Sequence, residues 1–254
     1  MAGKLKANIR IFDFDLTISK GHTFSSYCLD RIARADFLEE DIYKLGKKLA
    51  VHNIKNGVPF EHDADHLSAI ATYHNNPAFI AGYISHMLGK ELKLAETLTS
   101  DEPATAINVY TVEGIDRPIF ISYLPDMGNA FQAKMAMLQG KNNQINFLKK
   151  TLIAREQITE TAIIDFYDDT DTNYVEAQNL EGVNCHFISR TNPNFTIIAS
   201  QAARVLEKNE MIMDSDISEL SGELSTEVEK VNEAIITGTT TITNANAISS
   251  NLTS

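Results

Sequence analysis

The chain has 254 residues, 43% of them hydrophobic and 22% charged, and its 34 acidic against 22 basic side chains give a formal charge of −12. That balance works against a duplex nucleic acid or an anionic membrane as partner. Cys28 and Cys185 are too few for a disulfide framework, no Cys/His cluster suggests zinc, and neither a secretory signal nor a run of 18 apolar residues is readable, so a reducing, cytoplasmic setting is expected.

In chain order, Asn8 to Asp13 has the branched and aromatic residues of a short buried strand and ends on a carboxylate. Residues 23–49 carry an amphipathic helical pattern, broken by Asn56-Gly57-Val58-Pro59. Leu67 to Thr72 reads as a second strand. A helix starts at Asn76-Pro77, where proline in the first turn loses no hydrogen bond, and stops near Leu88 before Gly89. Residues 106–124 read as two strands around Glu113-Gly114-Ile115-Asp116, and the 90–125 segment as a hairpin region. Helix 142–154, strand 161–167, helix 172–180 and strand 183–188 follow. Strands alternating with helices predict an α/β fold, Rossmann-like, with a parallel sheet covered on both faces.

The tail departs from this pattern. From Glu207 onward nine acidic residues stand against Lys208 and Lys230, while Ile217, Leu220, Leu224, Val228, Val231 and Ile235 recur at three- and four-residue steps. An acidic amphipathic helix is expected over 207–233. Residues 234–254 carry no charge and are rich in Thr, Asn and Ser, too little apolar area to offset ordering, so a disordered polar end is expected.

Chemistry gathers where strands end, the place ligands occupy in open α/β sheets. Asp13-Phe14-Asp15-Leu16-Thr17 follows the first strand, Thr72 ends the second, and Asp168-Asp169 follows the strand that ends at Tyr167. On these residues the chain resembles the haloacid-dehalogenase superfamily of phosphatases. Asp13 to Thr17 matches its D-x-D-x-T motif, Thr72 its strand-ending hydroxyl, Lys141 in Gly140-Lys141-Asn142 its helix-opening base, and Asp168-Asp169 with Asn173 its final acidic motif. The match covers residues 8–190. It implies a core over 1–206, with a small helical cap inserted at about 18–66.

The resemblance also implies roles. Asp13 is the nucleophile and a metal ligand. Asp15 is the general acid/base and lends its backbone carbonyl to the metal. Asp169 completes the metal site; Asp168 orients it or shares the metal, with Asn173 and Thr17 in support. Thr72 and Lys141 hold the phosphate oxygens. Elementary chemistry agrees, because carboxylates can approach an anionic phosphate only when a cation offsets their charge, and a hard cation such as Mg²⁺, held by oxygen ligands, is the expected solution. The expected activity is Mg²⁺-dependent hydrolysis of phosphomonoesters through an aspartyl-phosphate. A phosphotransferase, or a regulatory binding module without turnover, is the alternative.

Several positions compete for these roles. Ser122, after Ile119-Phe120-Ile121, rivals Thr72, while Lys134 and Lys149 rival Lys141. His62 and His66 stand four apart among acids and would share a helix face as metal ligands, although the H-E-x-x-H pattern is lacking. His22, near the first motif, is either a loop histidine that touches substrate or a surface residue. Phe24, Tyr27, Tyr73 and Tyr123 stand near the motifs and either pack a phosphorylated aromatic or serve the core. A modest cap, as the resemblance implies, leaves the rim open to phosphorylated small molecules or phosphoproteins as partners. A looser resemblance, to phosphotyrosine phosphatases among bacterial effectors, joins the Glu-rich stretch Glu219 to Glu233 and implies delivery into a host cell as the alternative location.

Overall fold

The computed structural model describes residues 9–23, 38–100, 105–125 and 140–198. These belong to one compact unit, Met1–Ala202. The expected acidic helix and polar tail lie outside the described residues.

Among these residues one sheet contains β1 (Ile9–Phe12), β2 (Leu67–Ala71), β3 (Leu92–Thr99), β4 (Ala106–Val112), β5 (Ile115–Tyr123), β6 (Ile164–Asp168) and β7 (Val183–Phe187), in the order β3-β4-β5-β2-β1-β6-β7. The helices are α1 (Glu39–Asn53), α2 (Pro77–Leu88), α3 (Asn142–Ala154) and α4 (Asp171–Ala177). No described helix is long and apolar enough to cross a membrane.

The expectation of a parallel sheet is corrected: the sheet is mixed. Strands β5, β2, β1, β6 and β7 run parallel, but β4 is antiparallel to both β3 and β5. The cause is the length of the links. Residues 100–105 and the pair Glu113-Gly114 are too short for the crossover of a dozen or more residues that parallel strands need. Strand β3 was hidden in the sequence because it is an outer edge: only Leu92 is buried, and a bulge separates Leu94 from Glu96.

Both faces of the sheet are covered. On one, Ile145, Leu148 and Leu152 of α3 pack with Ala177 of α4 against Ile9, Ile11, Ala69, Phe120 and Phe166. On the other, Ile42 and Ala50 of α1 join Phe79, Ile80 and Ile84 of α2 over Phe12, Ile70, Ile119 and Ile121. Each such side chain withdrawn from water contributes about 1.5–3 kcal/mol. The expected cap segment 18–66 contributes α1 to this second layer, and its residues 24–37 lie outside the described residues.

Helices α1 and α2 cross with their backbones in contact. A Cβ added to Gly46 would lie 2.0 Å from the Phe79 carbonyl oxygen, and one added to Gly82 would lie 1.9 Å from that of Tyr43. Any larger residue at either position must push the helices apart. The parallel strands then deliver their carboxyl ends to one rim, and β1, paired on both sides, places Asp13 at its centre.

Candidate active site

Strand β1 ends at Phe12, and the Asp13 N–H still donates to the Tyr167 carbonyl at 2.8 Å, so the Asp13 side chain emerges directly beside the end of β6. A tight turn follows. Ile18 N and Ser19 N both donate to the Phe14 carbonyl, at 3.0 and 3.1 Å, and Leu16 takes a left-handed φ of 63°, uncommon outside glycine. The Ser19 hydroxyl holds this bend by accepting from Leu16 N at 3.0 Å. The turn brings the Thr17 hydroxyl back to lie 3.4 Å from Asp13 Oδ2 and 3.2 Å from Asp169 Oδ1.

Asp13, Asp168 and Asp169 are all buried, and one oxygen from each lies within 4.8 Å of the others. Lys141 is 1% exposed and binds two of them: its Nζ donates to Asp13 Oδ1, and to Asp168 Oδ2 at 2.9 Å. Gly140 makes this placement possible. It has φ 66°, and a Cβ there would meet Glu176 Cβ at 2.9 Å, so the chain passes close to α4 before α3 begins. Lys141 Nζ also stands 5.1 Å over the Tyr73 ring.

The two adjacent aspartates are held differently. Asp168 meets three donor groups: Thr170 N at 2.7 Å, Lys141, and Asn173 Nδ2 at 3.0 and 3.2 Å from its two oxygens. The Tyr73 hydroxyl donates to Asn173 Oδ1 at 2.8 Å, which turns the amide nitrogen toward Asp168. Asp169 instead receives Arg190, whose Nε lies 2.7 Å from Oδ2 and 3.0 Å from the Asp169 carbonyl, while Nη2 reaches the Thr170 hydroxyl at 3.1 Å. Asp168 is thus committed to holding Lys141, whereas Asp13 and Asp169 share the Thr17 hydroxyl and keep acceptor capacity for a cation.

Burial dominates the electrostatics. It pushes the Asp13 pKa up to about 7; Asp169 and Asp15 push the same way and Lys141 works against them. Asp168 is pushed up to about 6 by burial, again opposed by Lys141. Asp169 is raised by burial and by Asp168, with Arg190 opposing. Burial also disfavours the Lys141 charge, but Asp13 and Asp168 outweigh it and hold that ammonium above the ordinary lysine range. Closely spaced, partly protonatable carboxylates with hard oxygen donors are the chemistry a small divalent cation resolves.

The sequence-derived residues do not all meet. Asp13, Thr17, Lys141, Asp168, Asp169 and Asn173 form one bonded group. Asp15 stands beside it: its Oδ1 accepts from Thr23 N at 2.7 Å and the Thr23 hydroxyl at 2.6 Å, and its Oδ2 lies 3.4 Å from His22 Nδ1. Thr72 follows β2, the neighbour of β1, but its hydroxyl accepts from His74 N at 3.1 Å and its carbonyl from Gln144 Nε2 at 2.6 Å. Ser122 lies one strand further out and is fully buried. Lys149 donates to the Glu181 carbonyl, and Lys134, Phe24 and Tyr27 lie outside the described residues. Tyr123 donates to Asn108 Oδ1 at 3.3 Å.

His62 and His66 do not converge. His62 is buried, with Nε2 3.0 Å from the Arg117 carbonyl and Nδ1 accepting from Ser68 N, and burial lowers its pKa. His66 is exposed beside Asp63 and Glu61. Sequence reasoning missed Arg190, Lys55 and His74. Arg190 had a positional signal, because β7 lies beside β6 with Phe187 opposite Asp168. Buried His74 stacks on Phe79 at 5.5 Å, and burial pushes its pKa down to about 4. Nothing local marked it. Compared with protein-family models, curated proteins and solved structures, the chain matches none.

Proposed function

We propose that this protein is a Mg²⁺-dependent phosphomonoester hydrolase in which Asp13 is the nucleophile. One observation carries the reading: Asp13, Asp168 and Asp169 converge, buried, at the end of β1 with Lys141 bonded to two of them. The resemblance of the same residues to haloacid-dehalogenase phosphatases supports it.

Asp13, Asp169 and the Asp15 carbonyl would hold the cation, which supplies neutralisation of the carboxylates and of the phosphoryl oxygens. A carboxylate oxygen of Asp13 attacks phosphorus and the ester oxygen leaves, giving an aspartyl-phosphate and an alcohol. Asp15 gives the leaving oxygen its proton. It then takes a proton from the water that attacks phosphorus, which releases phosphate and restores Asp13. Lys141, held on Asp13 and Asp168 and backed by Tyr73, neutralises charge on the transferred group. Thr17 keeps Asp13 and Asp169 in register. Thr72 is the proposed ligand of a phosphate oxygen, and α1 with the segment before it is the proposed selector of substrate.

The test is phosphate release from an aryl phosphate, phosphorylated metabolites, nucleotides and phosphotyrosine, phosphoserine and phosphothreonine peptides, with EDTA and with Mg²⁺. Hydrolysis that EDTA stops and Mg²⁺ restores is expected, and the ranking of esters assigns small-molecule or phosphoprotein substrates. Hydrolysis indifferent to EDTA, or none on any ester, overturns the reading.

A further inference from the structure

Lys55 has 1% of its surface exposed, a rare place for an ammonium group, and belongs to none of the motifs. It links two segments that are distant in sequence. Its N–H donates to the Ile18 carbonyl at 2.9 Å, beside an antiparallel bridge between Ser19 and Ile54, and Lys20 N donates to the Asn53 carbonyl at 2.7 Å. Those bonds secure the turn whose Thr17 hydroxyl reaches Asp13 and Asp169. Its Nζ donates to the Ser189 carbonyl, immediately before Arg190, whose Nε grips Asp169. One residue on, Asn56 N donates to the Pro193 carbonyl at 3.0 Å and Phe195 N returns a bond to the Asn56 carbonyl at 2.8 Å. The short segment 53–56 therefore laces the Thr17 turn to the Arg190 loop, and both of those end on one carboxylate.

We infer that Lys55 is a positioning residue for Asp169, a clip that joins the Thr17 turn to the Arg190 loop and so fixes that carboxylate for a divalent cation. The inference rests on the metal-dependent reading above. A methionine would fill the same channel, but it has no N–H for the Ser189 carbonyl and no charge for its surroundings. That charge is not idle: burial disfavours the Lys55 ammonium, and Asp169 and Asp13 are the groups that partly offset it. Without the Nζ bond the backbone bonds of 53–56 remain, but the Ser189 carbonyl, and with it the Arg190 that grips Asp169, loses its tie to the Thr17 turn. Groups that orient a ligand from behind change metal affinity by about 10–100-fold when removed.

The experiment is calorimetric titration of Mg²⁺ and Mn²⁺ into the metal-free full chain, wild type and Lys55→Met, with Tm for each and kcat and KM for an aryl phosphate at saturating Mg²⁺. Lys55→Met is expected to bind either ion at least about tenfold more weakly, and to lose kcat while KM stays within about threefold. A folded Lys55→Met with ion affinity within about twofold of wild type leaves Lys55 a packing residue and overturns the inference. Should Lys55→Met not fold, Lys55→Arg decides, because it keeps the charge but moves the donor: weaker ion binding is expected, and unchanged binding overturns the inference. If neither folds, Lys55 serves folding and the inference falls. Wild type that takes up neither ion defeats the metal-dependent reading itself, whatever the variants do.

Discussion

At the rim, three carboxylates lie within 4.8 Å of one another and are kept there by Lys141, Thr17 and Arg190. At the α1–α2 crossing, two backbones approach so closely that a single methyl would stand about 2 Å from a carbonyl oxygen, and the nearest atoms are backbone ones. Both places are crowded, but for different reasons. The rim is a balance of charges whose cost changes with pH and cations, because burial has raised all three acids. The crossing is a matter of volume and is indifferent to either. Changes that remove charge should therefore damage function and spare the fold, while changes that add volume should damage the fold first.

The largest effect tests the first half of that contrast. Asp13→Asn keeps the shape and removes the proposed nucleophile, so turnover on every ester should fall by at least about 10³-fold, while circular dichroism and Tm report an intact fold. Substantial residual activity would place the chemistry elsewhere. The crossing is tested next by Gly82→Ala, which drives a Cβ into the Tyr43 carbonyl and should cost about 3 kcal/mol or more in urea unfolding, as overpacked sites do. That loss should be the same at pH 5 and pH 7.5 and with or without Mg²⁺. A loss that varied with either condition would mean the crossing is coupled to the carboxylates.

The smallest effect sharpens the electrostatic half. An acid whose pKa rises on folding, as Asp13 does from 3.8 to about 7, binds more protons in the native state than in the unfolded chain between those values. Its contribution to stability therefore falls as pH rises from about 4 to about 7. Asp13→Asn lacks that slope. The variant should gain stability relative to metal-free wild type across this window, as read by urea midpoints in EDTA at pH 5 and pH 7.5. A difference that stays flat would show that the Asp13 carboxyl is ionised throughout.

Much of this architecture was legible in the chain. Strand β2, helices α2 and α3 and strand β7 lie where hydrophobic periodicity, Asn76-Pro77 and Gly89 put them, because those signals are local. Strand β3 was not legible, since its alternation of Leu92, Leu94 and Leu98 is broken at Glu96, where the bulge falls, and most of its side chains are exposed on an edge. At the site, Asp13, Thr17, Lys141, Asp168, Asp169 and Asn173 could be found because each stands in a short motif near a strand end or a helix start. Asp15 and Thr72 shared that signal, yet their bonds go to Thr23, His74 and Gln144, partners that only the folded chain supplies. Arg190 and Lys55 were found only in the structure, because their importance comes from a carboxylate that is more than twenty residues away in sequence.

Phe14, between the two acids of the first motif, is fully buried, and its ring meets Tyr83 edge-on with centroids 4.9 Å apart and Phe79 at 6.1 Å. Tyr83 is the residue after Gly82. The position of Asp13, the proposed nucleophile, is thus referenced, through these aromatic contacts, to a helix whose distance from its neighbour is set by two missing methyl groups. In mechanical language the glycine pair is a spacer gauge and Phe14 the stylus that rests on it. Reaction geometry tolerates little error, since a displacement of about 1 Å can cost 10²-fold in rate. The two glycines that carry no chemistry therefore help set the dimensional tolerance within which Asp13 works.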